Sequence, residues 1–269
     1  MIYYFVYIWQ LFFFAYKYLR LKHYKCMKIQ AIIMAGGVGS RLRPLTDDTP
    51  KPMVKIIDKP VLETIIERLK YFGIYDIGLT VNYKSDVIKN YFSNGRRFGV
   101  RLTYFDEEKP LGTAGSVKQA EKYLSDNFFV ASGDAYSEVD YDALYKAHVG
   151  KNLLGTLLVK RVSDARGFGL VKIRNGIVED FIEKPQVPTK GYVNTGIYAL
   201  KRDILQFIPD GFYDFGRDLF PRLINNLAAF EISGYWNDIG TLERYYESNL
   251  YAVKKLKNKT IPRFFEIIL

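Results

Sequence analysis

An apolar run that ends in a glycine-rich turn is the sequence feature that most constrains the fold of this chain. The run "IQAIIMA" over residues 29–35 suits one fully buried strand, and "GGVG" follows it at once. In open α/β sheets phosphates bind at such a turn, because free backbone N–H groups point outward at the carboxyl end of the strand. The pattern therefore predicts an α/β sheet with an anion-binding edge.

The spacing of apolar residues along the rest of the chain favours the same fold class. Before residue 140, short apolar runs such as "IGLTVN" and "VRLTYF" alternate with helical patterns, which is typical of a mostly parallel sheet covered by helices. After residue 140, the strand-rich segments and a hairpin turn at Asn175 and Gly176 indicate a mixed or antiparallel extension. We predict one domain over residues 27–258, with halves at 27–139 and 140–240.

A closing helix is predicted over residues 241–257. Leu242, Tyr245, Tyr246 and Val253 recur at helical intervals, so we expect this face to pack on the body of the domain. The segment "FFEIIL" that ends the chain is apolar enough to contact a neighbouring copy. A homo-oligomer is therefore expected.

The composition excludes several classes of protein. Cys26 is the one cysteine of 269 residues, which excludes an intramolecular disulfide framework and favours the reducing cytoplasm. Two histidines and one cysteine are too few for the usual zinc sites. The formal charge is +10, but after residue 27 the cations are scattered among acids along the chain. We therefore expect small anionic ligands and no nucleic-acid partner.

Residues 1–26 differ in texture from the rest of the chain. They are apolar and aromatic through Tyr16 and then basic, without an acid. They lack the basic start and the small-residue cleavage site of a secretory signal, and the apolar part is shorter than the ~20 residues of a membrane span. An anchoring segment, a packing extension and a mis-assigned start all remain open. We favour the last, because Met27 directly precedes the first strand, and we expect a membrane contact only if the segment is genuine.

The glycine turn does not match two common phosphate-binding motifs. The dinucleotide fingerprint G-x-G-x-x-G needs glycine where Leu42 stands, and the Walker motif needs Gly-Lys-Ser/Thr where this chain has "GSR". Prolines farther along disfavour a helix, so we expect an irregular loop over residues 36–59. Its cations are Arg41, Arg43, Lys51 and Lys55. We interpret them as a lid over a triphosphate whose leaving pyrophosphate needs stabilisation.

Two carboxylates at predicted strand ends are candidate metal ligands. Asp134 ends "NFFVASGD" at the sheet edge that carries the glycine turn, and Asp238 lies in "YWNDIGT". Thr241 is better placed to cap the helix that follows, which leaves Asp238 without a local role. Hard carboxylate oxygens suit Mg²⁺, so we expect the pair to bind this ion. An ordinary Gly-Asp turn is the alternative for Asp134.

The segments "IEKP" and "VNTGIY" supply a third group of candidates. Lys184 is a compact point charge that suits a phosphate monoester, and Glu183 and Asn194 suit sugar hydroxyls. A strand-to-turn junction with an exposed Lys-Pro is the alternative. The residues alone favour neither interpretation.

Together these motifs resemble those of the nucleotide-sugar pyrophosphorylases, the sugar-1-phosphate nucleotidylyltransferases. The segments "AGGVGSRLRPLT" with "KPMV", "EKPLGTAGS", "SGD", "FGLV", "EKP", "VNTGIY" and "WNDIGT" occur in that family's order between residues 28 and 249. The resemblance implies a Rossmann-like nucleotide-diphospho-sugar transferase fold, with a nucleotide-binding first half and a sugar-phosphate-binding second half. It also implies a Mg²⁺-dependent reaction of a nucleoside triphosphate with a sugar 1-phosphate.

The resemblance implies a role for each motif. The implied nucleotide-binding residues are Ala35, Gly36, Gly37, Gly39, Gly112 and Thr113. The implied catalytic residues are Arg41, Lys51 and Lys184, and the implied metal ligands are Asp134 and Asp238. The implied sugar-phosphate-binding residues are Gly169, Glu183, Lys184 and Asn194.

The choice of base and sugar rests on the segment "PLGTAGS". It is similar to that of mannose or heptose 1-phosphate guanylyltransferases, so we expect GTP and mannose 1-phosphate. Heptose-1-phosphate guanylyltransferase and glucose-1-phosphate thymidylyl- or uridylyltransferase activities remain alternatives. A glycosyltransferase is disfavoured because no Asp-x-Asp follows the strand. A catalytically silent sensor of nucleotide sugars is disfavoured because the charged residues of the motifs are all present.

Overall fold

The computed structural model describes the backbone of residues 29–265 and the side chains of residues 29–257. The predictions for residues 1–26 and for "FFEIIL" lie outside these described side chains. The strands are β1 (Gln30–Met34), β2 (Lys55–Ile56), β3 (Lys59–Pro60), β4 (Asp76–Val81), β5 (Arg101–Asp106), β6 (Asn127–Ser132), β7 (Ala135–Ser137), β8 (Gly155–Val162), β9 (Gly169–Arg174), β10 (Ile177–Glu183), β11 (Gly191–Lys201), β12 (Leu227–Glu231) and β13 (Trp236–Asp238). The α-helices are α1 (Val61–Tyr71), α2 (Ser85–Phe92), α3 (Gly112–Gln119), α4 (Tyr141–Lys151) and α5 (Leu242–Phe265).

Four parallel strands form the first part of a nine-stranded sheet. Their order is β5-β4-β1-β6. The chain adds β4 and β5 on one side of β1 and then crosses to the other side to add β6. Such a reversal of strand order leaves a crevice beyond the carboxyl ends of the strands, where ligands bind in open α/β sheets. The predicted α/β fold class is confirmed, and the glycine turn lies at this crevice.

The second part of the sheet is mixed, as the sequence predicts. Strand β11 runs antiparallel to β6 and β8, and β12 runs parallel to β8. The hairpin of β9 and β10 turns at Asn175 and Gly176, whose φ angles of 52° and 75° fit the glycine- and asparagine-rich turns of tight hairpins. Because β9 also pairs with β11, and β10 with β12, this hairpin closes the five strands into a ring.

Two apolar clusters cover the two faces of the sheet. Ala31 and Ile33 of β1 belong to one cluster with α1, α2 and α4, whereas Ile32 belongs to the other with α3. All three side chains are fully buried, because successive residues of a strand point to opposite faces. The continuous apolar run at the start of the fold is therefore explained by a strand covered on both sides.

Helix α5 packs on a face that only partly coincides with the predicted one. Leu242, Tyr246 and Val253 are 48%, 63% and 41% exposed, whereas Ser248 and Ala252 are buried. Tyr245, the fourth residue of the predicted face, is partly buried and packs against the apolar core as expected. The helix also continues to Phe265, eight residues beyond the predicted end.

None of the helices in the described part of the chain has both the length and the apolar character needed to cross a membrane.

Candidate active site

A cavity of about 290 Å³ lies at the carboxyl ends of β1, β4 and β6. It is lined by side chains and backbone from both halves of the chain. The predicted site residues that line it are Gly36, Gly37, Lys51, Gly112, Thr113 and Asp134. The structure therefore brings the glycine turn, the "PLGTAGS" segment and one candidate metal ligand to a single concave site, which is where small-molecule ligands bind most often.

The glycine turn has one open position and two tightly packed ones. A side chain on Gly37 would meet open space, whereas a Cβ on Gly36 would lie 3.3 Å from Glu107. Gly39 has a φ of 70°, and a Cβ there would lie 2.8 Å from the Cβ of Lys51. Gly39 thus serves to position Lys51. Ala35 is buried, and its backbone N–H donates to Thr80 at 2.8 Å.

The four cations of the loop do not form a common lid. Lys51 is 8% exposed and lines the cavity, at the start of a short 3₁₀ helix. Arg43 is instead paired with Asp47 at 3.3 Å, and Arg41 and Lys55 are exposed. Of the four cations that the sequence spreads along the loop, Lys51 alone is buried and lines the cavity.

Asp134 is held by two donors at the base of the cavity. The Nζ of Lys51 donates to its Oδ2, and the hydroxyl of Ser132 donates to its Oδ1. Burial alone would favour the neutral acid, but the charge and hydrogen bonds of these neighbours hold the pKa of the Asp134 carboxyl below its usual value. Asp134 is therefore an ionised carboxylate beside a buried cation.

Asp238 lies directly beside Asp134. Strand β13 pairs with β7 so that Asp238 opposes Ala135, and the N–H of Ile239 donates to the carbonyl of Asp134 at 3.1 Å. Burial and the negative charge of Asp134 raise the pKa of the Asp238 carboxyl. Two residues that are more than a hundred positions apart in the chain are thus brought together by a two-stranded sheet.

The donor set at this point fits Mg²⁺. Among the residues that the structure describes, no three or more acidic, histidine or cysteine side chains form a metal cluster. Mg²⁺ usually takes one or two protein carboxylates and completes its coordination with water and substrate phosphates. Asp134 and Asp238 match that requirement.

The four predicted sugar-phosphate residues do not line the cavity itself. Glu183 lies between two glycines, and one of them, Gly216, closely follows the cavity-lining Asp214. It pairs in register with Gly169, and a Cβ on Gly216 would lie 2.5 Å from its Oε2. The close approach leaves no space for any side chain on Gly216. Lys184 follows with a φ of 48°, and its Nζ is 3.4 Å from the Oε1 of Glu183. Gly216 has no signal in the sequence, because its role depends on a strand that is more than thirty positions away.

Asn194 is directed by a bulge in β11. The pairing of β11 with β8 shifts register between Asn194 and Tyr198, and the N–H of Gly196 donates to Oδ1 of Asn194 at 3.1 Å. The Nδ2 of Asn194 donates to the buried Tyr198 hydroxyl at 2.9 Å. Burial raises the pKa of Tyr198, and the nearby charges of Asp214 and Glu183 act in the same direction. Asn194 and Glu183 therefore meet around this phenol, which the sequence analysis does not identify.

The "PLGTAGS" segment also joins the two halves of the chain. The hydroxyl of Thr113 donates to Oδ2 of Asp214 at 2.8 Å and accepts from the N–H of Phe215 at 2.9 Å. Gly112 has a φ of 71°, and a Cβ there would lie 2.6 Å from the carbonyl oxygen of Tyr213. Glycine at this position is therefore a packing requirement as well as a part of the cavity wall.

A further cation, Arg244, links the metal-ligand pair to the other side of the cleft. Its Nη1 donates to Oδ1 of Asp238 at 2.7 Å, and its guanidinium lies 4.0 Å from the centre of the Phe168 ring. The carbonyl of Phe168 accepts the N–H of Lys184 at 3.0 Å. Thr241 caps α5 as predicted, since its hydroxyl accepts the N–H of Arg244. The cap can thus be predicted from the neighbouring sequence, whereas the ion pair of Arg244 with Asp238 becomes visible only in the structure.

Comparison with known proteins agrees with this geometry. The nucleotidyl transferase family model matches residues 30–255. A UTP–glucose-1-phosphate uridylyltransferase of Synechocystis sp. is 34% identical over 87% of this chain and 66% of its own length. A probable mannose-1-phosphate guanylyltransferase 2 of Oryza sativa is 32% identical over 87% of this chain and 68% of its own length. The chain thus spans about two thirds of the length of these relatives.

Solved structures give the same result. HddC from Yersinia pseudotuberculosis has a TM-score of 0.74 and 31% identity, covering 83% of this chain and 99% of that one. A putative glucose-1-phosphate thymidylyltransferase from Bacillus anthracis has a TM-score of 0.74 and 28% identity, covering 83% and 95%. The nucleotide-diphospho-sugar transferase fold implied by the motifs is confirmed. The chain belongs to the nucleotidyl transferase family.

Proposed function

We propose that this protein is a Mg²⁺-dependent sugar-1-phosphate nucleotidylyltransferase, which forms a nucleotide sugar and pyrophosphate from a nucleoside triphosphate and a sugar 1-phosphate. One observation carries the proposal: Asp134 lines the cavity together with the glycine turn and the buried Lys51, and Asp238 lies directly beside Asp134. Family membership and the activities after which the relatives are named support the same reaction class.

The proposed reaction is an in-line displacement at the α-phosphorus. An oxygen of the sugar phosphate forms the new bond to phosphorus, and the bond to the leaving pyrophosphate breaks on the opposite side. A phosphate dianion is already nucleophilic at neutral pH, so no general base is needed. The histidine of the described chain, His148, is in keeping with this, because it is buried away from the cavity lining. Positioning and charge neutralisation would then supply most of the rate.

The proposed roles follow from position in the cleft. Asp134 and Asp238 would hold Mg²⁺, which neutralises charge on the triphosphate. The backbone of Gly36 and Gly37 would contact the phosphates, and Lys51 would stabilise the charge that builds on pyrophosphate. On the opposite side, the proposed sugar-phosphate ligands are Gly169, Glu183, Lys184 and Asn194. Arg41 is exposed and does not line the cavity, so its proposed role as a ligand of the triphosphate rests on its motif alone.

GTP is the proposed nucleotide, and two polar side chains of the cavity lining support it. Glu107 lines the cavity, and its Oε2 accepts the N–H of Leu111 at 3.1 Å. A carboxylate suits the two adjacent N–H donors of guanine, whereas uracil and thymine place carbonyl oxygens on both sides of one N–H. The hydroxyl of Thr80 also lines the cavity. Among the buried side-chain polar atoms of the described residues, it is the one without a hydrogen-bond partner, so it offers a further contact to a base.

Mannose 1-phosphate is the proposed sugar substrate. Relatives named mannose-1-phosphate guanylyltransferases support it, whereas the Synechocystis relative favours UTP and glucose 1-phosphate. Mannose and glucose differ in the orientation of one hydroxyl group, and an enzyme distinguishes them by the polar contacts of its pocket. The combination of nucleotide and sugar is therefore tested directly.

The test is pyrophosphate release with GTP, UTP and dTTP, each combined with mannose, glucose and heptose 1-phosphates in the presence of Mg²⁺. We expect the highest kcat/KM for GTP with mannose 1-phosphate. Asp134→Asn should reduce the rate by about 10²- to 10³-fold, because one carboxylate of the pair is lost while Lys51 keeps a polar neighbour. The matched control is Asp164→Asn, whose carboxylate pairs with Arg166 outside the cavity lining.

Three outcomes would reject parts of the proposal. Turnover with another substrate pair would replace GTP and mannose 1-phosphate while leaving the reaction class intact. Nucleotide-sugar binding without pyrophosphate release from any pair would instead favour a regulatory homologue. Full activity of Asp134→Asn would exclude the proposed metal site.

A further inference from the structure

Each candidate metal ligand is paired with a cation of the protein. Lys51 donates to Asp134, and Arg244 donates to Asp238. A divalent ion that binds both carboxylates would weaken both ion pairs, because it shares the negative charge of each carboxylate and repels the two cations. Lys51 already has a proposed role at the phosphates. Arg244 has no proposed role so far, although it pairs with Asp238 as Lys51 pairs with Asp134.

The Arg244 side chain keeps most of its hydrogen-bonding capacity unused. A guanidinium has five N–H donors. Within the described part of the chain, Asp238 is the side-chain or backbone acceptor that Arg244 reaches, although the Arg244 side chain is only 22% exposed. Nη2 lies beside the backbone of Gly167, where an added Cβ would be 3.8 Å away. The donors left over point to a ligand with several oxygens.

The surroundings fix the plane of this guanidinium. It stacks on Phe168 at 4.0 Å, and Phe168 in turn lies 5.5 Å from the ring of Trp236. Stacking on one face leaves the edges of the guanidinium to form hydrogen bonds, and a planar fork of donors suits phosphate oxygens. The same Phe168 carbonyl holds Lys184, so this cation lies on the side of the cleft with the proposed sugar-phosphate ligands.

We propose that Arg244 is a phosphate-binding residue for the sugar 1-phosphate, held on Asp238 until a divalent cation takes that carboxylate. The proposal rests on the proposed function for the identity of the ligand. With a divalent ion on Asp238, the guanidinium edge would be free to turn toward the sugar phosphate while its face stays on Phe168. Metal binding and sugar-phosphate binding are thereby coupled: the ion that the nucleotide brings also frees the cation that the second substrate needs.

Two binding measurements test this proposal without turnover. The first is Mn²⁺ binding to the substrate-free protein, followed by electron paramagnetic resonance. Arg244→Met keeps an unbranched stem against Phe168 but removes the competing charge, so it should bind Mn²⁺ several-fold more tightly. The second is calorimetric titration with mannose 1-phosphate and glucose 1-phosphate in the presence of Mg²⁺ and a non-hydrolysable GTP analogue. Loss of a charge-assisted contact should weaken this binding by about tenfold or more.

Arg244→Lys and Arg174→Ala complete the set of variants. Lysine restores the charge without the planar fork, so it should recover part of the sugar-phosphate affinity. Arg174 is 74% exposed on the β9–β10 hairpin and pairs with Glu179, so its loss should change neither binding constant. Thermal unfolding of every variant checks that the fold is kept.

Weaker or unchanged Mn²⁺ binding in Arg244→Met would overturn the proposal, because it would mean that Arg244 supports the metal ligand or has only a packing role. Unchanged sugar 1-phosphate affinity in that variant would overturn it as well. Failure of the wild-type protein to release pyrophosphate would reject the proposed function alone, since both binding measurements are independent of catalysis.

Discussion

The two sides of the cleft are built in different ways. On the nucleotide side, Gly36, Gly37 and Gly39 follow one strand directly, and Lys51 comes twelve residues after the turn. On the other side, Glu183 and Asn194 come from two consecutive strands, whereas Gly216, which approaches Glu183, and Arg244 come from segments farther along the chain. The first side depends on local backbone geometry, and the second on close packing between distant segments. Substitutions should therefore affect the two sides through different substrates.

Gly39→Ala is the sharpest test of the nucleotide side. The new Cβ would lie 2.8 Å from the Cβ of Lys51, in a backbone conformation with a φ of 70° that L-residues adopt at a cost. We expect Lys51 to be displaced and kcat to fall by about 10²-fold, with a loss of about 1–3 kcal/mol in the free energy of unfolding. Pyrophosphate release and thermal unfolding measure the two effects.

Gly37→Ala is the matched control for that substitution, because a Cβ at Gly37 meets open space and its φ is not positive. It should leave stability nearly unchanged. If Gly39→Ala and Gly37→Ala behaved alike, Gly39 would not position Lys51, and the local account of the nucleotide side would be wrong.

Gly216→Ala tests the other side. A methyl group would lie 2.5 Å from Oε2 of Glu183, so the carboxylate must move. We expect KM for the sugar 1-phosphate to rise by about tenfold while KM for the nucleotide stays within about twofold. Steady-state kinetics with each substrate varied in turn separates the two constants. An equal rise in both would show that the two sides are not independent.

The sequence predicts the sheet and the nucleotide side best. Strands such as β1 and β6 are continuous apolar runs, and the glycine turn follows β1 without interruption, so the pattern and its position carry the information. The cationic loop is only partly predicted. Spacing alone cannot distinguish the buried Lys51 from Arg43, because that difference depends on the pairing of Arg43 with Asp47.

Contacts between distant segments account for what the sequence leaves out. Gly216, Tyr198 and Asp214 gain their roles from a hairpin, a bulge and a helix start that meet only in the folded chain. The face of α5 is only partly predicted, since Tyr245 packs on the core but Leu242, Tyr246 and Val253 do not. Leu242 and Tyr246 fit an apolar stripe, but the small residues Ser248 and Ala252 allow the closer approach. The spacing of hydrophobic residues predicts a helix, but it does not tell which face of the helix is buried when small residues on another face can pack more closely.

The smallest expected effect concerns His148, which connects the two parts of the sheet outside the cavity. Its ring nitrogens lie 3.1 Å from Oδ1 of Asn127 in β6 and 3.3 Å from the hydroxyl of Thr156 in β8. Burial, and then the charge of Lys201, lower the pKa of His148 to about 4. The unfolded chain, with a histidine pKa of about 6.5, therefore binds one more proton between these two values.

Stability should consequently fall as the pH is lowered from about 6.5 toward 4, by about 1.4 kcal/mol per pH unit from this group. Urea unfolding at several pH values measures the slope. His148→Gln, which cannot titrate, should lose stability at pH 7 but show a shallower slope, while the ratio of the two KM values stays unchanged. An identical slope in both proteins would show that other groups set the acid sensitivity. A changed KM ratio would instead mean that the contacts of His148 between β6, α4 and β8 affect substrate binding in the cleft. The two sides of the cleft would then depend on each other, contrary to the comparison above.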